Sequence, residues 1–84
     1  MKIELKYFGR PGELLRLAQE TAEVPSQLRT VSELLSWLRL RGGVWATELA
    51  GERVCCAVNL EFADASYPIH EHDEIAIFSP ISGG

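Results

Sequence analysis

The chain has 84 residues, 46% hydrophobic and 24% charged, with a formal net charge of −4. That is one domain, burying roughly 60–65% of its unfolded surface, and a balance that excludes a disordered polymer. Its acidity argues against nucleic acid and no apolar run approaches the roughly 20 residues that cross a bilayer, so a cytoplasmic globule without a secretory signal is expected.

Lys2-Ile3-Glu4-Leu5-Lys6-Tyr7 alternates polar and apolar without a break, the pattern of a half-buried strand. Ile3, Leu5 and Tyr7 take the buried face; Lys2, Glu4, Lys6 and then Phe8 take the other. Phe8 is thus an aromatic at the end of a charged row. Gly9-Arg10-Pro11-Gly12 reads as a turn, and residues 13–17 as a single helical turn. Residues 20–24 form a weaker second strand, which Pro25 places at a sheet edge or a strand end.

Thr30-Val31-Ser32-Glu33 is a capping box. Val31, Leu34, Leu35 and Leu38 follow at i, i+3, i+4 and i+7, one apolar stripe. Arg39 and Arg41 suit the negative end of the helix dipole, and Gly42-Gly43 supplies the stop. The spacing predicts a helix over 31–41. Residues 44–51 read as irregular or a short helical turn, with Trp45 against the body. Trp37 and Trp45 read as core or rim packing rather than a ligand platform.

Residues 53–59 form a third strand with Val54, Cys56 and Val58 on one face, and residues 59–62 a turn or bend. Tyr67-Pro68-Ile69 leads into the polar loop His70-Glu71-His72-Asp73. Residues 74–78 are the final strand. Cys55 and Cys56 are neighbours on a strand and point to opposite faces, so they are placed as structural side chains rather than a metal pair. His70 and His72 have carboxylates nearby but no further ligand cluster, so the loop reads as solvated and metal-free. No Ser/His/Asp set or phosphate loop is visible. The body reads as a carrier, not a catalyst.

The order strand, strand, helix, strand, strand gives the α+β class: a mixed sheet with one helix across one face. Ile75 and Ile77 then face the helix, leaving Ala76 and Phe78 on the uncovered side. If the first and last strands are neighbours, Phe8 and Phe78 meet where the tail departs, a candidate docking patch. The tail is Ser79-Pro80-Ile81-Ser82-Gly83-Gly84. A terminal Gly-Gly arises by chance roughly once in 200 chains. Pro80 stops the strand, and glycine, lacking Cβ, can enter a channel closed to other residues. With no catalytic set in the body, the carboxylate of Gly84 is the expected reactive group.

Ala57-Val58-Asn59, Tyr67-Pro68-Ile69 and the run His72-Asp73-Glu74-Ile75-Ala76-Ile77-Phe78-Ser79-Pro80-Ile81-Ser82-Gly83-Gly84 resemble the small subunit of molybdopterin synthase, a ubiquitin-like sulfur-carrier family. Tyr7-Phe8 and Glu13-Leu14 match its N-terminal region. The resemblance implies a β-grasp fold of four to five strands in a single domain over 1–84. It implies a partner, an E1-like adenylating enzyme, that uses ATP to convert the Gly84 carboxylate into an acyl-adenylate. Sulfur transfer then gives a thiocarboxylate. It implies a second partner, the large synthase subunit in a heterotetramer, where the sulfur passes to cyclic pyranopterin monophosphate. No cofactor is held permanently. Gly83 would give clearance, and Phe8, Phe78, Pro80, Ile81 and Ser82 would contact partners. One position departs from the family: Gly12 stands where many members carry a basic residue. The rival readings are a thiamine-pathway sulfur carrier, a ubiquitin-like protein modifier and a plain interaction domain.

Overall fold

The computed structural model describes residues 1–50 and 53–80. Five strands, β1 (Lys2–Tyr7), β2 (Gln19–Glu23), β3 (Cys55–Val58), β4 (Glu61–Ala63) and β5 (Glu74–Phe78), form one mixed sheet in the order β2-β1-β5-β3-β4. The central pair, β1 and β5, is parallel, and every other pair is antiparallel. The expected α+β sheet with one main helix across it is what forms. Among the described residues no helix is long and apolar enough to cross a membrane.

The alternation of β1 lands as read. Ile3, Leu5 and Tyr7 are buried, as are Ile75 and Ile77 beside them. Helix α2 (Val31–Arg39) lays Val31, Leu34 and Leu38 onto this face. Each aliphatic side chain removed from water this completely contributes about 1.5–3 kcal/mol. The capping box operates with one change: Thr30 Oγ1 accepts from the Glu33 N–H at 3.2 Å, but Glu33 reaches back to the Arg29 N–H, at 2.7 Å. The helix also stops two residues before Arg41, which is freed for another use.

Two elements differ from expectation. Residues 9–12 are not a free turn, because helix α1 (Arg10–Leu15) begins there. Pro11 sits in the first helical turn, where a missing N–H costs nothing. Gly12 is required by proximity: a Cβ there would lie 2.6 Å from the Tyr7 carbonyl oxygen. This close approach answers the departure at position 12, since a basic side chain would have to displace α1 from β1. The turn or bend read at residues 59–62 is a turn at its start only, and a strand follows it. Asn59 and Leu60, at φ 50° and 72°, make a two-residue turn, and the chain returns as β4. Helix α3 (Val44–Glu48) follows α2 and is tied to α1 by Arg10 Nε donating to Glu48 Oε1 at 3.0 Å.

Under the end of β1 the freed Arg41 closes a small cluster. It grips the Glu20 carboxylate with Nη1 at 2.8 Å and Nη2 at 3.2 Å. Tyr7 Oη donates to the same carboxylate at 2.7 Å. The Arg41 guanidinium lies 4.3 Å from the Trp45 ring centre, and that ring meets Tyr7 edge-on at 5.5 Å. Burial alone would push the Glu20 carboxyl up, but the hydrogen bonds from Arg41 and Tyr7 and the Arg41 charge overcome it and hold it below its ordinary value. Burial and the Glu20 hydrogen bond push the Tyr7 phenol far above its ordinary value. Trp45 therefore packs in the body, as its position in the sequence implied.

Candidate functional site

Strand parity decides what the uncovered face presents. Parallel pairing sets Tyr7 opposite Ile77, and the Phe8 N–H donates to the Ile77 carbonyl at 2.9 Å. One residue further on, Phe8 and Phe78 therefore sit side by side at the β5 end from which Ser79 and Pro80 lead away. Phe8 is half exposed. The two phenylalanines named from the sequence are thus brought together.

The structure adds two residues to them. The β3–β4 hairpin carries Leu60, 88% exposed, and Phe62, 83% exposed. The Phe62 ring stands edge-on to Phe78 with centres 6.1 Å apart. Between them, Ala57 and Ala76 face each other across the β3–β5 ladder. These small side chains leave a furrow of about 280 Å³ lined by Phe8, Ala57, Leu60, Phe62, Ala76 and Phe78. Large apolar side chains left this exposed make the furrow a candidate docking surface. Leu60 and Phe62 were missed because the turn or bend read at 59–62 was not followed into a hairpin, and the returning strand β4 was not expected. Asn59, tolerant of positive φ, was the available signal.

The other half of the same face is polar and internally paired. Lys6 Nζ lies 3.4 Å from Glu74 Oε1, and Thr21 Oγ1 donates to Glu4 Oε1 at 2.9 Å. A furrow of about 370 Å³ lined by Glu4, Lys6, Gln19, Thr21 and Glu74 runs between β1 and β2.

At the base of the tail, Ser79 Oγ is buried and has no hydrogen-bond partner among the described residues, while Pro80 is exposed. Ile81, Ser82, Gly83 and Gly84 lie outside the described residues. Cys56 is buried and Cys55 half-buried on the opposite face. Burial, with the neighbouring Cys55, pushes the Cys56 thiol up to about 12, which leaves it unreactive at neutral pH. His70 and His72 are exposed in the turn before β5. Among the described residues no group of three or more side chains is arranged to hold a metal ion.

A family model, that of the ThiS family, matches residues 5–84. The chain belongs to the ThiS family. Among curated ThiS-like relatives, it is 28% identical over 82 residues to the molybdopterin synthase sulfur carrier subunit of Escherichia coli (strain K12), covering 98% of this chain and 99% of that one. Among solved structures it is similar to a putative molybdopterin converting factor subunit 1 from Pyrococcus furiosus. That pair shares 26% identity over 96% of this chain and 99% of the other, with a TM-score of 0.80. It shares its fold with small archaeal modifier protein 1 of Haloferax volcanii, at 23% identity over the whole of both chains and a TM-score of 0.80. The β-grasp expectation is therefore met.

Proposed function

We propose that this ThiS-family chain is the sulfur-carrying subunit of a molybdopterin synthase. The observation that carries the reading is the near full-length match to a carrier subunit of that enzyme. The apolar furrow at the foot of a tail ending in Gly83-Gly84 supports it. In this reading the carboxylate of Gly84, with an ordinary pKa near 3.5, is ionised and a poor acyl donor. An E1-like enzyme lets a carboxylate oxygen attack the α-phosphorus of ATP, releasing pyrophosphate. Sulfur at the hydrosulfide level then attacks the acyl carbon, AMP leaves, and loss of the sulfur's proton gives the thiocarboxylate. The large synthase subunit takes the tail, and the sulfur passes to cyclic pyranopterin monophosphate.

The chain's own part is presentation. Phe8, Leu60, Phe62 and Phe78 dock on the partner, and that binding holds the tail's reacting end at the partner's site. Pro80, Ile81 and Ser82 span the distance, and Gly83 gives clearance. A carrier that stays attached to its sulfur never releases it as a free reactive species.

The fold is shared with a protein modifier, so the test must separate cargo from fold. Intact-mass measurement of the chain from cells with and without the activating enzyme is expected to show oxygen replaced by sulfur only when the enzyme is present. An unmodified mass in both, or a chain found joined to protein lysines instead, overturns the reading. Co-purification with a pterin-binding large subunit separates molybdopterin from thiamine chemistry. Deleting Gly84 is expected to abolish pterin sulfuration in the reconstituted synthase while the fold remains.

A further inference from the structure

The hairpin that adds Leu60 and Phe62 to the furrow is an unusual object. Two consecutive side-chain-bearing residues, Asn59 and Leu60, both stand at positive φ, a geometry that glycine normally supplies in hairpin turns. Leu60 is also 88% exposed. A bulky residue in the left-handed region persists only where its surroundings over-determine it.

Beside it, Asn59 forms a pin between the hairpin and the loop before β5. Asn59 Nδ2 donates to Asp73 Oδ1 at 2.9 Å, and Asn59 Oδ1 accepts from the Glu74 N–H at 2.9 Å. The Asn59 N–H donates to the Glu74 carbonyl at 2.8 Å. Asp73 is held in turn, its Oδ2 accepting from the His70 N–H at 2.7 Å. Its backbone carbonyl accepts from the Glu4 N–H at 3.0 Å. One amide thus locks β3 and β4 to the start of β5, and the loop is locked to β1.

We infer that Asn59 is a positioning residue for docking: through Asp73 and Glu74 it fixes the hairpin that sets Leu60 and Phe62 against Phe8 and Phe78. The inference rests on the proposed function and places a fixed point at the furrow's far rim. A loose hairpin would have to be ordered on binding, which costs affinity. A fixed one presents both anchors ready made. Among the described residues no hydrogen bond runs from the pin to Ser79 or Pro80, so in this reading it acts on recognition and leaves the chemistry alone.

Polarity makes the pin testable. Asn59→Asp sets a carboxylate against Asp73 Oδ1 and breaks the contact by repulsion. In the double variant Asn59→Asp/Asp73→Asn, the new amide at 73 donates to the new carboxylate at 59. The His70 and Glu74 N–H groups keep their acceptors. Binding of the full chain to its large synthase subunit would be measured by calorimetry, with thermal unfolding run in parallel. Asn59→Asp is expected to weaken binding about tenfold, the size of one lost hydrogen bond to a charged group. The double variant is expected to recover to within about twofold of wild type. In pterin sulfuration, KM for the carrier rises while kcat holds.

Wild-type affinity in folded Asn59→Asp overturns the inference, as does a folded double variant no tighter than the single. Should Asn59→Asp fail to fold, Asn59→Gly keeps the positive φ and lacks the amide, and wild-type affinity there overturns it equally. Phe62→Ala distinguishes the two levels. If Phe62→Ala also binds as wild type, the hairpin is not part of the docking surface and the docking reading fails. If Phe62→Ala is weak while the Asn59 variants bind normally, only the pin is lost.

Discussion

The uncovered face of this sheet is two surfaces sharing one strand ladder. On the β1–β2 side, charges and hydroxyls answer each other, Lys6 with Glu74 and Glu4 with Thr21. On the β5–β3–β4 side, three phenylalanines and a leucine stand over two alanines, with Phe8, Leu60 and Phe62 exposed among the described residues. The polar half is complete in water, and further contact there would first have to undo its pairs. The apolar half gains free energy only when something excludes water from it. The difference separates a half already satisfied by its own pairs from the half proposed above to recognise a partner.

Breaking the apolar half should have the largest effect. Phe78→Asp buries a charge in the docked furrow and is expected to cost about 2–4 kcal/mol of affinity for the large subunit, read as Kd by calorimetry. Leu60→Gly should move two properties in opposite directions. It relieves a left-handed leucine, raising stability by about 1 kcal/mol, and it removes an anchor, weakening binding. Thermal unfolding and Kd on the same sample check both.

The Glu20 cluster beneath β1 gives a smaller, pH-dependent effect. A carboxyl held below its ordinary value stays ionised in the folded state at a pH where the unfolded chain has already taken up its proton. The unfolded state then binds more protons, so stability rises with pH through that window. The contribution is present above the ordinary glutamate range and is lost as pH falls through the lower folded value. Glu20→Gln should flatten the acid limb of a melting-temperature profile and leave the furrow's affinity unchanged. Least of all should change with Lys6→Gln: removing one partner of a half-exposed ion pair shifts stability by less than about 1 kcal/mol and affinity by no more. A large loss of binding from Lys6→Gln would erase the contrast between the halves.

Much of this was written in the chain. Unbroken alternation placed Ile3, Leu5, Tyr7, Ile75 and Ile77 inside, and parity alone put Phe8 and Phe78 on one face. Thr30 and Glu33 announced the helix. What was illegible has physical reasons. Gly9-Arg10-Pro11-Gly12 carries the residues of a turn, yet the proline suits a first helical turn and Gly12 answers a carbonyl that only tertiary packing brings near. β4 is three residues long, too short for periodicity to register, and its turn holds Asn59-Leu60 where a glycine would have flagged a hairpin. Losing the return strand meant losing Leu60 and Phe62 as well, half of the furrow's large side chains.

The strand order carries a last consequence, in time rather than in space. β5 is the last described strand in sequence, yet it lies between β1 and β3. The sheet therefore stays in two pieces until the chain beyond residue 73 joins it, and such distant pairings are slow to form. Phe8 belongs to one end of the polypeptide and Phe78 to the other, so they become neighbours only when that closure is done. A partner that required both would read a completed fold.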